Sequence, residues 1–191
     1  MRTKPLRTLA HVALLAAVIL SVLVLSGPAL ATSSTTGHKK VVASGAGIKW
    51  STPREHGKSI EVTPHPAWPA IEGASWVWRT PTNRNEVVTF TQTFTIPHSA
   101  RNLTGVLHIT SDNAYRVFLN GRLVGANGPF SFDGPDEGTW ATIFDHVVNA
   151  KKGRNILTVK AINYFGPAEP PDNPAGLIFR LDLNCARPGR G

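Results

Sequence analysis

Between Glu86 and Ile96 the chain alternates: Val88, Phe90, Phe94 and Ile96 fall on one side, and Val87, Thr89, Thr91, Thr93 and Thr95 on the other. In an extended backbone successive side chains point to opposite faces, so this pattern predicts a strand with one buried and one wet face. Shorter runs of the same kind recur at Ala74 to Arg79, Leu103 to Thr110, Ala114 to Leu119, Arg122 to Gly125, Thr139 to Phe144, Asn155 to Asn163, and Leu177 to Leu183. No run with a helical period exceeds about two turns. About eight short antiparallel strands separated by turn residues predict an all-β sandwich or jelly roll, here over residues 48–185.

Two connections have a stated mechanism. Asn120-Gly121 lies between Tyr115–Leu119 and Arg122–Val124, and these two residue types tolerate the positive φ that both central positions of a type I′ hairpin turn require. Gly153, within Lys151–Asn155, is free to take a left-handed conformation between two apolar runs. Trp76 and Trp78 are two residues apart, which places both on one side of a strand, with core packing favoured over an exposed ridge. Pro53, Pro64, Pro66 and Pro69 break the stretch from Trp50 to Gly73, so it is expected to run extended and irregular, contributing aromatic plugs to the domain.

The N-terminal end differs in kind. Arg2, Lys4 and Arg7 precede an apolar run from Leu9 to Leu25, followed by Pro28 and the triplet Ala29-Leu30-Ala31. This order predicts a secretory signal, residues 1–31, cleaved after Ala31, and hence a secreted or extracellular protein. The apolar run approaches the length of a membrane anchor, but Pro28 and the small-residue triplet favour cleavage. Residues 32–47, rich in Thr, Ser, Gly and Lys, are expected to form a flexible linker, and 186–191 a C-terminal tail. Loss of a segment with three basic and no acidic residues lowers the net charge from +8 to +5. That balance suits acidic polysaccharides, envelope polymers or anionic surfaces. Nucleic acid is not expected, because the basic residues are scattered along the sequence without a recognition motif. Cys185 is the single cysteine, so no intramolecular disulfide can form and stability must come from packing.

The segment Ser111-Asp112-Asn113-Ala114-Tyr115-Arg116-Val117-Phe118-Leu119-Asn120-Gly121 resembles the strand-turn-strand of galactose-binding-like jelly-roll domains, the sugar-binding modules of bacterial glycosidases such as rhamnosidases and β-galactosidases. Phe144–Val148 followed by Gly153-Arg154-Asn155-Ile156-Leu157-Thr158-Val159 is similar to a later element of the same domains, and Asn163 with Asn173-Pro174-Ala175-Gly176-Leu177 to their ending. The resemblance covers about residues 74 to 184 and implies the fold and a carbohydrate-binding role. Its matching residues are structural: Asp112 and Asn113 cap a loop, Asn120-Gly121 turn the chain, Gly153 and Asn155 set a strand, and Asn173, Pro174 and Gly176 shape the last connection. It carries over no ligand contacts.

A sugar site needs flat rings to stack on pyranose faces and polar groups for the hydroxyls. Trp140, after the polar loop that starts at Asp133, and Tyr164, opening the loop toward Asn173, are the candidate rings; Asp136, Glu137 and Asp172 are the candidate polar partners. Asp133 and Asp136 are candidate calcium ligands, although their spacing matches no known calcium loop and solvated turn carboxylates are the commoner explanation. A glycosidase would need Asp136 or Glu137 to meet Asp172 across the two loops. A lyase would pair Tyr115 or Tyr164 with His108 or His146. Neither has a sequence motif behind it, and a binding module is the expected function, ahead of a protein-interaction domain and a small polysaccharide-active enzyme.

Overall fold

The computed structural model describes residues 37–80, 85–101, 103–133, 138–164 and 173–186. In chain order its strands are β1 (Gly37–Ala43), β2 (Lys49–Ser51), β3 (His56–Lys58), β4 (Ile60–Glu61), β5 (Val77–Trp78) and β6 (Glu86–Ile96). They continue as β7 (Thr104–Asp112), β8 (Ala114–Leu119), β9 (Arg122–Asn127), β10 (Phe144–Asn149), β11 (Gly153–Asn163) and β12 (Gly176–Ala186). The first sheet runs β10-β7-β12-β5-β4, with β1 also paired to β12; the second runs β3-β2-β6-β11-β8-β9. Every pairing is antiparallel. The two sheets form the expected sandwich.

The alternation of β6 does what its pattern predicts. Val88, Phe90, Phe94 and Ile96 are buried and pack with Val117 and Val159 of their own sheet against Leu107, Ile109, Phe179 and Leu181 of the other. The threonines between them face out. Val87 is the exception on that outward side, half-buried against a small second cluster of Ala114, Ile162 and Tyr164. The hairpin at Asn120-Gly121 has the predicted positive φ values, 52° and 83°, and Gly153 is left-handed at 77°. A strand edge alone does not hold the Asn120 turn: its amide donates to Asn155 Oδ1 at 2.9 Å and its carbonyl oxygen accepts from Ile156 N at 3.0 Å. Asn155, fully buried, also closes the neighbouring turn through Lys151 N, Lys151 O and Gly153 O.

Four local expectations are corrected. Residues 37–43, read as linker, form β1 in continuous register with β12, Gly37 opposite Ala186 and Ala43 opposite Arg180. Backbone pairing holds this strand, and among its described side chains Val42 alone enters the core, which the Ser- and Gly-rich composition conceals. The stretch from Trp50 to Gly73, read as irregular, contributes three short strands, β2 to β4. The strand read at Thr139 to Phe144 is instead a 3-10 turn at Thr139–Ala141, entered through left-handed Gly138, and β10 begins only at Phe144. Trp76 and Trp78 are both buried but on different sides, because the strand is too short to impose a period of two: Trp78 enters the main core and Trp76 a separate aromatic cluster.

Candidate functional site

Of the residues singled out from sequence, Asp112, Asn113, Tyr164, Asn173 and Gly176 come together at one end of the sandwich. The β7–β8 corner is fixed by Asn113, whose backbone N donates to Ile162 O and whose side-chain oxygen accepts from Tyr164 N at 2.8 Å; its carbonyl accepts from the Thr139 hydroxyl. Buried Asp112 accepts the Trp68 indole N–H at 3.1 Å. The expected side-chain-to-backbone capping therefore belongs to Asn113, while Asp112 clamps an indole. Trp68 stacks on Trp76 with centroids 4.2 Å apart over the outer side of the first sheet. Gly176 lies beneath them, where a Cβ would come within 2.8 Å of both rings, so this glycine is required by close approach. Asn173, also buried, donates to Tyr164 O at 3.2 Å, and Pro174 follows it into β12.

This packing decides the proposed ring platform. Tyr164 is 1% exposed, held in the cluster with Ala114 and Ile162, so it cannot stack on a ligand; the expectation for this residue is corrected. Trp140 is half-buried, packed against the Trp68–Trp76 cluster and edge-on to His65 at 6.1 Å. Asp133 is exposed, whereas Asp136, Glu137 and Asp172 lie outside the described residues. Among the described residues no three His, Cys, Asp or Glu side chains converge as metal ligands would.

The same end holds a surface cleft of about 510 Å³, lined by 52–55, Arg79, 85–87 and Phe132. Three of its charged groups form one chain of contacts. Trp78, anchored in the core, donates its indole N–H to Glu86 Oε1 at 2.8 Å, and Arg79 Nε meets Glu86 Oε2 at 2.6 Å. Arg79 Nη1 reaches out to Glu55 Oε2 at 2.9 Å, while its guanidinium lies 5.6 Å over the Trp50 ring. Arg79 and Glu86 side chains are 13% and 12% exposed and Glu55 60%, so a rigid, desolvated pair stands behind an accessible carboxylate. Phe132 contributes a ring that is 45% exposed. The arrangement offers an apolar face beside charge-assisted hydrogen-bonding groups, and its volume lies in the usual ligand range of about 300–1,000 Å³. Sequence reasoning passed over these residues. The one signal available was Phe132 itself, a large apolar residue in a loop next to Asp133.

Of the lyase pairings, the fold creates one: Tyr115 OH lies 2.8 Å from His146 Nε2, joining β8 to β10 across the sandwich. Burial pushes the Tyr115 hydroxyl well above its ordinary pKa, with Asp145 adding to the effect, and burial lowers that of His146. Tyr115 is 1% exposed. A catalytic tyrosine base needs access to substrate and an easily lost proton, and this one has neither, so the pair is a tie between sheets.

No protein-family model and no curated protein matches the chain. Solved structures similar to it include a family 35 carbohydrate-binding module from Clostridium thermocellum, 17% identical with a TM-score of 0.42, covering 77% of this chain and 99% of that one. A β-glucuronidase from Bifidobacterium dentium is 14% identical with a TM-score of 0.44, over 76% of this chain and 30% of that one. A family 78 rhamnosidase of a Bacillus species is 26% identical with a TM-score of 0.40, over 62% of this chain and 12% of the enzyme. The chain thus spans only a small part of either glycosidase.

Proposed function

We propose that the chain is an exported, non-catalytic module that binds carbohydrate, free or as part of a cell-envelope polymer, in the cleft between Glu55, Arg79, Glu86 and Phe132. The observation that carries this reading is the exposed Phe132 ring in a concavity that also holds Arg79 and the carboxylates of Glu55 and Glu86, fixed by one another. Apolar CH faces of a sugar stack on such a ring, and Glu55, with Arg79 behind it, is placed to bond hydroxyls without reorganisation. Export is supported by the order of basic, apolar and small residues up to Ala31.

The test is retention of the full chain on a panel of soluble and insoluble polysaccharides, with and without calcium, while the supernatant is assayed for released sugar. Retention that disappears in Phe132→Ala, with the fold intact, is the expected result. Retention indifferent to Phe132 would remove the cleft from consideration, and sugar release would make the protein an enzyme.

A further inference from the structure

The outward side of the second sheet carries a concentration of positive charge that the linear sequence hides. Register places Lys58, Lys49, Thr91, Thr158 and Phe118 side by side on β3, β2, β6, β11 and β8. The adjacent row is His56, Ser51, Thr89, Lys160 and Arg116. Arg154 stands opposite Thr95 on the same face. Lys49 and Lys58 are direct cross-strand partners, and so are Lys160 and Arg116.

Like charges directly opposite each other destabilise an antiparallel pair, and this face does so twice. Among the described residues no carboxylate takes an outward position on the second sheet, and Lys49, Lys58, Arg154 and Lys160 form no ion pair. Arg116 Nη1 donates to the carbonyls of Tyr115, Asn127 and Gly128 and its guanidinium lies 5.2 Å over the Phe130 ring, with no carboxylate partner among the described residues. Lys160 sits 5.8 Å over the Phe118 ring. The carboxylates of sheet positions that face solvent are on the other side of the molecule, where Asp145 and Asp182 on the first sheet pair with His108 and Arg180.

We infer that the outer face of the second sheet is a docking surface for an acidic polysaccharide, one bearing repeated carboxylates, separate from the cleft proposed for sugar recognition. The charge calls for a polyanion. What lies between the cations selects among polyanions: threonine hydroxyls of β6 and β11, half-buried or exposed, suit a chain of sugar hydroxyls between acidic groups. Two apolar side chains, Ile156 and Phe118, also lie among these cations, both half-buried, while the threonines of β6 outnumber them across the middle of the face, the mixture a sugar chain with alternating CH faces and hydroxyls would meet. Neighbouring strands are about 4.8 Å apart, so a polymer crossing the sheet meets cations from several strands at once.

The test uses the full chain and polygalacturonate, with neutral arabinoxylan, phosphatidylglycerol vesicles and duplex DNA as comparison probes. Polygalacturonate is expected to bind more tightly than arabinoxylan, in a salt-sensitive manner, and K49E/K160E to weaken it by at least about tenfold with unchanged near-UV circular dichroism. Lys49→Gln and Lys160→Gln give smaller losses in the same direction, and K49R/K160R retains binding. K49E/K160E, which touches no residue of the cleft, leaves retention on neutral polysaccharide in place, so failure of the cleft and failure of this face are told apart. The inference is overturned if K49E/K160E binds polygalacturonate like the parent chain, if the parent does not bind it, or if vesicles or DNA are the tighter ligands.

Discussion

Above the first sheet, residues 62–76 fold back over Ile178, stack Trp68 on Trp76 and tie an indole to buried Asp112, while Asp145 contacts His108 and Asp182 pairs with Arg180 nearby. Above the second sheet the threonines of β6 face outward, and Lys49 opposes Lys58 and Lys160 opposes Arg116 with no acid on that face among the described residues. The two faces are built on similar antiparallel ladders, so the difference lies in what the intervening loops were given to do. One face is finished by the chain itself and holds the fold together. The other carries two like-charged cross-strand pairs, which an anionic ligand from outside the chain would relieve.

Substitutions that damage the covered face should cost the most. Trp68→Ala removes an aromatic stack and takes the donor from Asp112, and is expected to lose about 3–5 kcal/mol in urea denaturation. A loss under about 1 kcal/mol would mean that the cover is ornamental and that the contrast between the faces is false.

Between the faces, at the open edge, Tyr115→Phe should cost about 1–2 kcal/mol by leaving His146 without its phenol partner. The same variant has a pH signature. The folded chain keeps the Tyr115 proton above the ordinary value of 10.0, where the unfolded chain has lost it, so parental stability falls as pH rises past about 10. Unfolded His146 takes up a proton near its ordinary 6.5 that the folded form accepts only at lower pH, so stability also falls on the acid side of about 6.5. Urea midpoints across this range should show the alkaline decline shrinking in Tyr115→Phe and the acid one persisting. An unchanged alkaline limb would assign that decline to other groups.

The smallest stability effect belongs to the open face, and its sign is the informative part. Lys49→Glu is expected to leave stability unchanged or raise it by about 0.2–1 kcal/mol, since it turns a repulsive pair with Lys58 into an attractive one. Clear destabilisation would show that these cations serve the fold.

The sandwich was legible because its evidence is periodic: the alternation through β6 and the chemistry of Asn120-Gly121 depend on neighbours in sequence. The cleft was not, because Glu55, Arg79, Glu86 and Phe132 come from four separate segments and meet only once register is set. Lys49, Lys58, Lys160 and Arg116 look scattered along the chain for the same reason. Tyr164 misled because a ring that opens a loop reads as accessible, whereas Asn113 and Asn173 fasten its backbone into the interior. β1 was invisible because a strand held by main-chain bonds to one partner needs little hydrophobic signature of its own.

That strand has an architectural consequence. Because Gly37 lies opposite Ala186, entry to and exit from the domain are adjacent, within about 5.5 Å between Cα atoms for directly paired residues. A domain of this shape can be spliced into an exposed loop of a host protein with a minimal opening, or circularly permuted through a short joint, without disturbing the sandwich. A polypeptide joined directly at Gly37 or at Ala186 would leave the sandwich from the same corner.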